Sequence, residues 1–234
     1  MGHEGLTLVP LAGALALFAD ARACPPGFSA EGLPALLEEA FGFPTPVLIP
    51  QQRHTDLVFT FSGRLPKAPP LQVVGVCDAL ITAERGVALA VQTADCLPVV
   101  LAGGGVVSIV HAGWRGLAAG ILEKAVRLLS VQFGVEPVDL EAVIGVGVGP
   151  CHYPVGPEVV TALTNQLGPL PGAASDGRVD LQACAQKALL KAGLLAERLR
   201  VLPGCTACSP NYHSYRRDGP QAGRQWAAVV LPPA

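Results

Sequence analysis

GVALAVQTADCLPVVLAGGGVVSIVHAGWRG, residues 86–116, holds three apolar runs and then the start of an amphipathic pattern. The runs at 86–92, 97–101 and 105–110 are short and rich in Val, Ile and Leu, as buried strands are. After Gly116, the residues Leu117, Ile121, Leu122, Ala125, Leu128 and Leu129 recur at helical spacing, so a helix is expected over 116–133. A strand that hands over to a helix places side chains at the mouth of a sheet, where ligands bind.

The same reading extends outward. Strands are expected at 46–49, 56–61, 71–76, 142–148 and 226–231, and helices at 31–41, 156–167, 180–192 and, in short form, 194–198. Asp180 stands where an N-cap belongs. The Pro/Gly-rich stretches 63–70 and 168–177 are expected to be loops, not domain linkers, and no composition shift divides the chain. The expectation is one α/β domain over residues 1–234.

The apolar stretch Leu6–Phe18 ahead of Ala21-Arg22-Ala23 has the outline of a signal peptide. Its first residues hold His3 and Glu4 and no Lys or Arg, and Asp20 and Arg22 crowd the cleavage point. A buried strand or hairpin is the better expectation. No later stretch offers about 20 uninterrupted apolar residues, so no membrane span is expected. A net charge of −2 provides no field for nucleic acid. Seven cysteines at irregular spacing do not form a disulfide framework, which favours a reducing compartment such as the cytoplasm. Cys205-x-x-Cys208 has metal or redox spacing, but it has no second C-x-x-C and no redox βαβ context, and it reads as a loop cysteine pair.

Three segments carry donor residues. His54 precedes a strand in QRHTDLV, Cys96 opens a strand in TADCLPVVL, and His111 ends one in VHAGWRG. Two imidazoles and a thiolate suit Zn²⁺, and three protein ligands leave a fourth position open, as in a catalytic zinc site. His152 and His213 are alternatives for a fourth ligand or an acid/base group. Copper is the alternative metal. A blue-copper site wants an axial Met, and the only Met is Met1. A four-copper oxidase needs about twice the five histidines present.

IGVGVGPCHYPVG, residues 144–156, fails as a dinucleotide fingerprint. A ligand loop and a tightly packed strand exit stay equally open for it. CTACSPNYHSYRRDG, residues 205–219, gathers His213, Tyr215, Arg216 and Arg217. Guanidinium forks suit phosphate or carboxylate oxygens, and aromatic rings stack on planar bases, so these four residues are expected to bind substrate. Arg115 is a second cation for an oxyanion.

QxHxxxV, DALIT at 78–82, TADCLPVVL, HAGWRG, IGxxxGPxxYxVGxEV, CT at 205–206 and SYRRDG at 214–219 occur in one order. This resembles the laccase-domain family, also called polyphenol-oxidase-type proteins, over about residues 45–232. Pro154 stands where the family usually has Glu. The resemblance implies a compact α/β sandwich with His54, Cys96 and His111 as metal ligands. It implies purine nucleoside phosphorylase activity, with adenosine deaminase and methylthioadenosine phosphorylase activities, on purine nucleosides and phosphate. Within that activity Asp95, Arg115 and Arg216 are the expected catalytic residues, Asp95 as acid/base. A copper phenol oxidase and a metal-stabilised binding protein are the rival readings.

Overall fold

The structure is a computed structural model that describes residues 4–63, 70–170 and 177–234. The expected loops at 63–70 and 168–177 lie largely outside the described residues. In chain order the strands are β1 Leu6–Leu11, β2 Ala14–Ala19, β3 Val47–Gln51, β4 Val58–Phe61, β5 Leu71–Val76, β6 Ala79–Thr82, β7 Ala88–Thr93, β8 Leu97–Gly103, β9 Val106–Ala112, β10 Glu141–Ile144, β11 Leu199–Val201 and β12 Gln225–Val230. The helices are α1 Leu33–Phe41, α2 Trp114–Ala118, α3 Ile121–Phe133, α4 Pro157–Leu167, α5 Leu181–Lys191 and α6 Tyr215–Asp218.

The strands form two six-stranded mixed sheets, β1-β2-β12-β7-β3-β5 and β11-β10-β8-β9-β6-β4. Side-chain alternation explains how they stack. On β7, Leu89 and Val91 join Val100 of β8 and Val107 and Ile109 of β9 in a core between the sheets. Ala88 and Ala90 face the other way, onto Leu33 and Leu37 of α1. Val99 and Leu101 of β8 face Leu117, Ile121 and Leu189 of the helices over the second sheet. The central strands are therefore covered on both faces, and every residue of β8 and β9 is buried. That is why these strands read as unbroken apolar runs. The result is one compact α/β sandwich, as the resemblance implied.

The apolar N-terminal stretch is the β1–β2 hairpin, paired Leu11 to Ala14 and continuing onto β12. Its two-residue turn, Ala12-Gly13, has φ of 44° and 79°, the left-handed geometry that matches strand twist. The long helix expected over 116–133 is two helices, α2 and α3, because Gly120 adopts φ 77° between them. The strand expected over 142–148 stops at Ile144. A Cβ on Gly145 would meet Phe18 and Pro98, and one on Gly147 would meet Leu97 and the Asp95 carbonyl. The glycine run is thus a tightly packed strand exit. Asp180 caps α5, accepting the Ala183 N–H at 3.0 Å. The segment 194–198 gives only a short 3₁₀ turn, Ala196–Arg198. Two strands were not anticipated, β6 and β11, of four and three residues. Among the described residues no helix is long and apolar enough to cross a membrane.

Candidate metal centre and cleft

Strand register assembles the site. His111 of β9 pairs with Pro98 of β8 on one side. On the other, Val110 pairs with Ala79 of β6, which brings Asp78 alongside His111. Cys96 stands just before β8, so the same end of the sheet receives Cys96, His111 and Asp78. His54 arrives from the segment between β3 and β4, held by Asp78. The Asp78 carboxylate is fully buried and accepts the backbone N–H groups of Arg53, His54 and Thr55 at 3.1, 3.0 and 2.7 Å. It also accepts the Thr55 hydroxyl and His111 Nδ1–H, both at 2.8 Å. With Nδ1 engaged, His111 presents Nε2 to the site.

Donor atoms of His54, Cys96 and His111 lie within 4.8 Å of one another. Cys96 Sγ is 3.7 Å from His54 Nε2, and the two imidazoles meet edge-on with centroids 4.9 Å apart. Burial opposes a charged Cys96 thiolate, but hydrogen bonds and charge from His111 and His54 outweigh it and lower the thiol to about 6. Burial likewise opposes a charged His111, yet Asp78 and Cys96 raise it to about 9. Both shifts favour imidazolium and thiolate in the metal-free pair. Convergent soft and borderline donors, one fixed by a carboxylate behind it, fit a zinc-type ion.

Two of these positions are strained. His54 has φ 60° and Asp95 has φ 88°, a region that costs about 1–3 kcal/mol for a residue with a side chain. Asp78 holds His54 there through its N–H. Asp95 is held at both carboxylate oxygens: Oδ1 accepts the Thr206 hydroxyl at 2.5 Å and Oδ2 the Arg216 N–H at 2.7 Å.

The three donors line a cleft of about 440 Å³ with Gln52, Gln92, Asp95, Trp114, Arg115, Tyr153, Tyr215, Arg216 and Arg224. That size suits a small organic ligand. Arg216 lies over the Tyr153 ring at 4.8 Å, and Arg115 over Trp114 at 4.4 Å. Burial raises the Tyr153 phenol to about 12, so it stays neutral. Asp95, Arg115, Tyr215 and Arg216 thus share the cleft with the donors.

Arg217 and His213 are not brought to it. Arg217 donates to the carbonyls of Thr206, Ser209 and Tyr212 and pairs with Asp218, bracing its own loop. His213 is buried, with Nε2 at 2.7 Å from the Cys24 carbonyl and its N–H on Gln225. Asp78 is the functional residue missed in the sequence. It opens the DALIT motif at 78–82, but its role shows only when strand register sets it beside His111. Cys205 and Cys208 are not a bare loop pair either: Cys151 and His152 join them, with donor atoms within 4.8 Å.

A family model described as "Multi-copper polyphenol oxidoreductase laccase" matches residues 34–232. The chain belongs to that family. Relatives of the chain carry the name purine nucleoside phosphorylase. That of Aquifex aeolicus is 35% identical over 79% of this chain and 83% of its own length. The one named YlmD in Geobacillus stearothermophilus is 38% identical over 65% of this chain, an aligned segment spanning only 59% of that relative. In three dimensions the crystal structure of YlmD superimposes with a TM-score of 0.89 over all of this chain and 98% of that one, at 28% identity. A Neisseria meningitidis protein, NMB0706, superimposes at 0.78, with 25% identity.

Proposed function

We propose that this chain is a metal-dependent purine nucleoside phosphorylase, with His54, Cys96 and His111 holding one zinc-type ion. The observation that carries the reading is a single cleft shared by the His/Cys/His donors, three arginines and three aromatic rings. The names of the relatives support it. When bound, a zinc ion at these donors supplies a Lewis-acidic centre with an open coordination position.

The chain's own residues do the rest. Arg216 and Arg115 hold phosphate through planar, charge-assisted forks. Tyr153 keeps the Arg216 guanidinium in place from beneath, and Asp95 fixes its backbone N–H. Tyr215 and Trp114 offer faces for a purine. A phosphate oxygen attacks the ribose C1′, the C1′–N9 bond breaks, and its electron pair leaves with the purine, which takes up a proton. Methylthioadenosine enters the same reaction. In adenosine deamination water replaces the C6 amino group, and Asp95 is the carboxylate at hand for the proton transfer. Seven free thiols support a working place in the reducing cytoplasm.

The test is to incubate purified, metal-analysed protein with adenosine, with and without phosphate, and to resolve the products. Phosphate-dependent adenine and ribose 1-phosphate are expected, and inosine without phosphate. No product from adenosine, inosine, guanosine or methylthioadenosine at any metal loading would overturn the reading. Copper-dependent oxygen uptake with a phenol would move the chain to the oxidase alternative. An Asp95→Asn variant with full deaminase turnover would remove the proton-transfer role from Asp95.

A further inference from the structure

Beyond the cleft, Cys151, His152, Cys205 and Cys208 meet near the surface. Two chain segments supply them, the turn Pro150–His152 after the glycine run and the loop at 205–208. Cys151 Sγ lies 3.4 Å from Cys208 Sγ. His152 Nδ1 is 3.3 Å from Cys151 Sγ, 3.2 Å from Cys208 Sγ and 4.0 Å from Cys205 Sγ. Zinc takes thiolates at about 2.3 Å and imidazole at about 2.0 Å, so donors at the corners of its tetrahedron sit about 3.5–3.8 Å apart. The observed spacings bracket that range. A disulfide would use two of the four groups and leave the others idle, whereas a metal uses all of them.

We infer that Cys151, His152, Cys205 and Cys208 form a second, structural zinc site that clips the 150–152 turn to the 205–208 loop. Four protein donors close the coordination shell, which separates this site from the three-donor centre in the cleft. The surroundings are prepared for it. Cys205 Sγ already accepts the Gly149 N–H at 3.1 Å, which spreads thiolate charge. A Cβ at Gly149 would stand 3.2 Å from Cys205 Cβ and 3.4 Å from both Cys205 Sγ and Cys151 Sγ, so only glycine allows this approach comfortably. Zinc with three thiolates carries one net negative charge, and Arg178 lies beside it, donating to the Cys151 carbonyl.

The clip has a structural purpose. One segment leads directly into Tyr153, which supports Arg216 in the cleft. The other contains Thr206, whose hydroxyl holds Asp95 and whose N–H reaches the Gly147 carbonyl. Joining the two fixes the part of the cleft lined by Tyr153, Asp95 and Arg216.

The test uses the 234-residue chain, stripped of metal under reductant and titrated anaerobically with Co²⁺ and then Zn²⁺. Two equivalents per chain are expected, with tetrahedral Co²⁺ bands and thiolate-to-cobalt charge transfer. Cys208→Ser is expected to take one equivalent and Cys96→Ser to keep one. Zinc should raise the melting temperature of Cys96→Ser. A single wild-type equivalent that disappears in Cys96→Ser would overturn the inference, as would a Cys151–Cys208 disulfide in protein isolated without reductant, alkylated before any reduction and mass-mapped. If Cys208→Ser does not fold, the wild-type stoichiometry decides alone. None of these readouts depends on turnover, so the phosphorylase reading stands or falls separately.

Discussion

His111 donates Nδ1–H to Asp78 Oδ1 at 2.8 Å, with both side chains buried. The same carboxylate carries the N–H groups of Arg53, His54 and Thr55. One side chain therefore sets the orientation of two of the three metal donors. Asp78→Asn keeps the shape but offers one accepting oxygen in place of two. Metal affinity is expected to fall about 10–100-fold, the usual effect of losing a partner behind a ligand. Lost hydrogen bonds to buried donors should also cost about 1–3 kcal/mol of stability. Chelator competition and thermal melts check the two separately. Unchanged metal affinity would mean that His111 and His54 are oriented by something else.

Metal binding should depend steeply on pH. Without metal, Cys96 sits near 6 and His111 near 9, so at neutral pH the pair is thiolate and imidazolium. A metal needs His111 neutral at Nε2, so binding at pH 7 releases that proton. Affinity should rise about tenfold per pH unit between about 6 and about 9, and level off above. Below about 6 the Cys96 thiol is protonated as well and the fall steepens. Competition titrations across this range, with proton release measured by calorimetry in buffers of different ionisation enthalpy, test the slope. A flat profile would show that the apo site does not hold the ion pair.

Arg216 and Arg217 are neighbours with separate tasks. The Arg216 guanidinium faces the cleft over Tyr153, while that of Arg217 is spent on three carbonyls and Asp218. Arg216→Ala should raise the KM for phosphate about 10–100-fold, the worth of charge-assisted hydrogen bonds to an anion, with little change in melting. Arg217→Ala should instead lower stability by about 1–3 kcal/mol, a fall of about 2–10 °C for a chain of this size. Phosphate-dependent kinetics and thermal melts of the two variants check this. The reverse pattern would exchange their roles.

The stacked sheets were legible because β8 and β9 are covered on both faces and so write continuous apolar runs into the sequence. The break at Gly120 was not, because Leu117, Ile121 and Leu122 keep helical spacing across it. β6 has only four residues, too few to show a period. Within the site, His54, Cys96 and His111 announced themselves by residue type at strand ends. Asp78 acts through register, and Cys151 and His152 through a contact with residues more than fifty positions away, neither of which is a local pattern. His213 and Arg217 sit in a dense polar motif, but burial against Cys24 and hydrogen bonding to loop carbonyls engage them there.

Gly113 gives the sharpest test of the donor geometry. Its φ of −81° and ψ of 170° suit any residue, so alanine brings no backbone strain. Its added Cβ would lie 2.9 Å from Cys96 Sγ and 3.0 Å from His54 Cδ2. In the metal-free protein those side-chain ends can shift by a few tenths of an ångström. With metal bound they cannot, because thiolate and imidazole must hold bonds of about 2.3 and 2.0 Å. The overpacking cost of about 1–3 kcal/mol therefore falls on the metal-bound state. Gly113→Ala should bind zinc about 10–100-fold more weakly, yet melt in chelator within a few degrees of the parent. Metal affinity equal to the parent's would show that the ion is not held between Cys96 and His54.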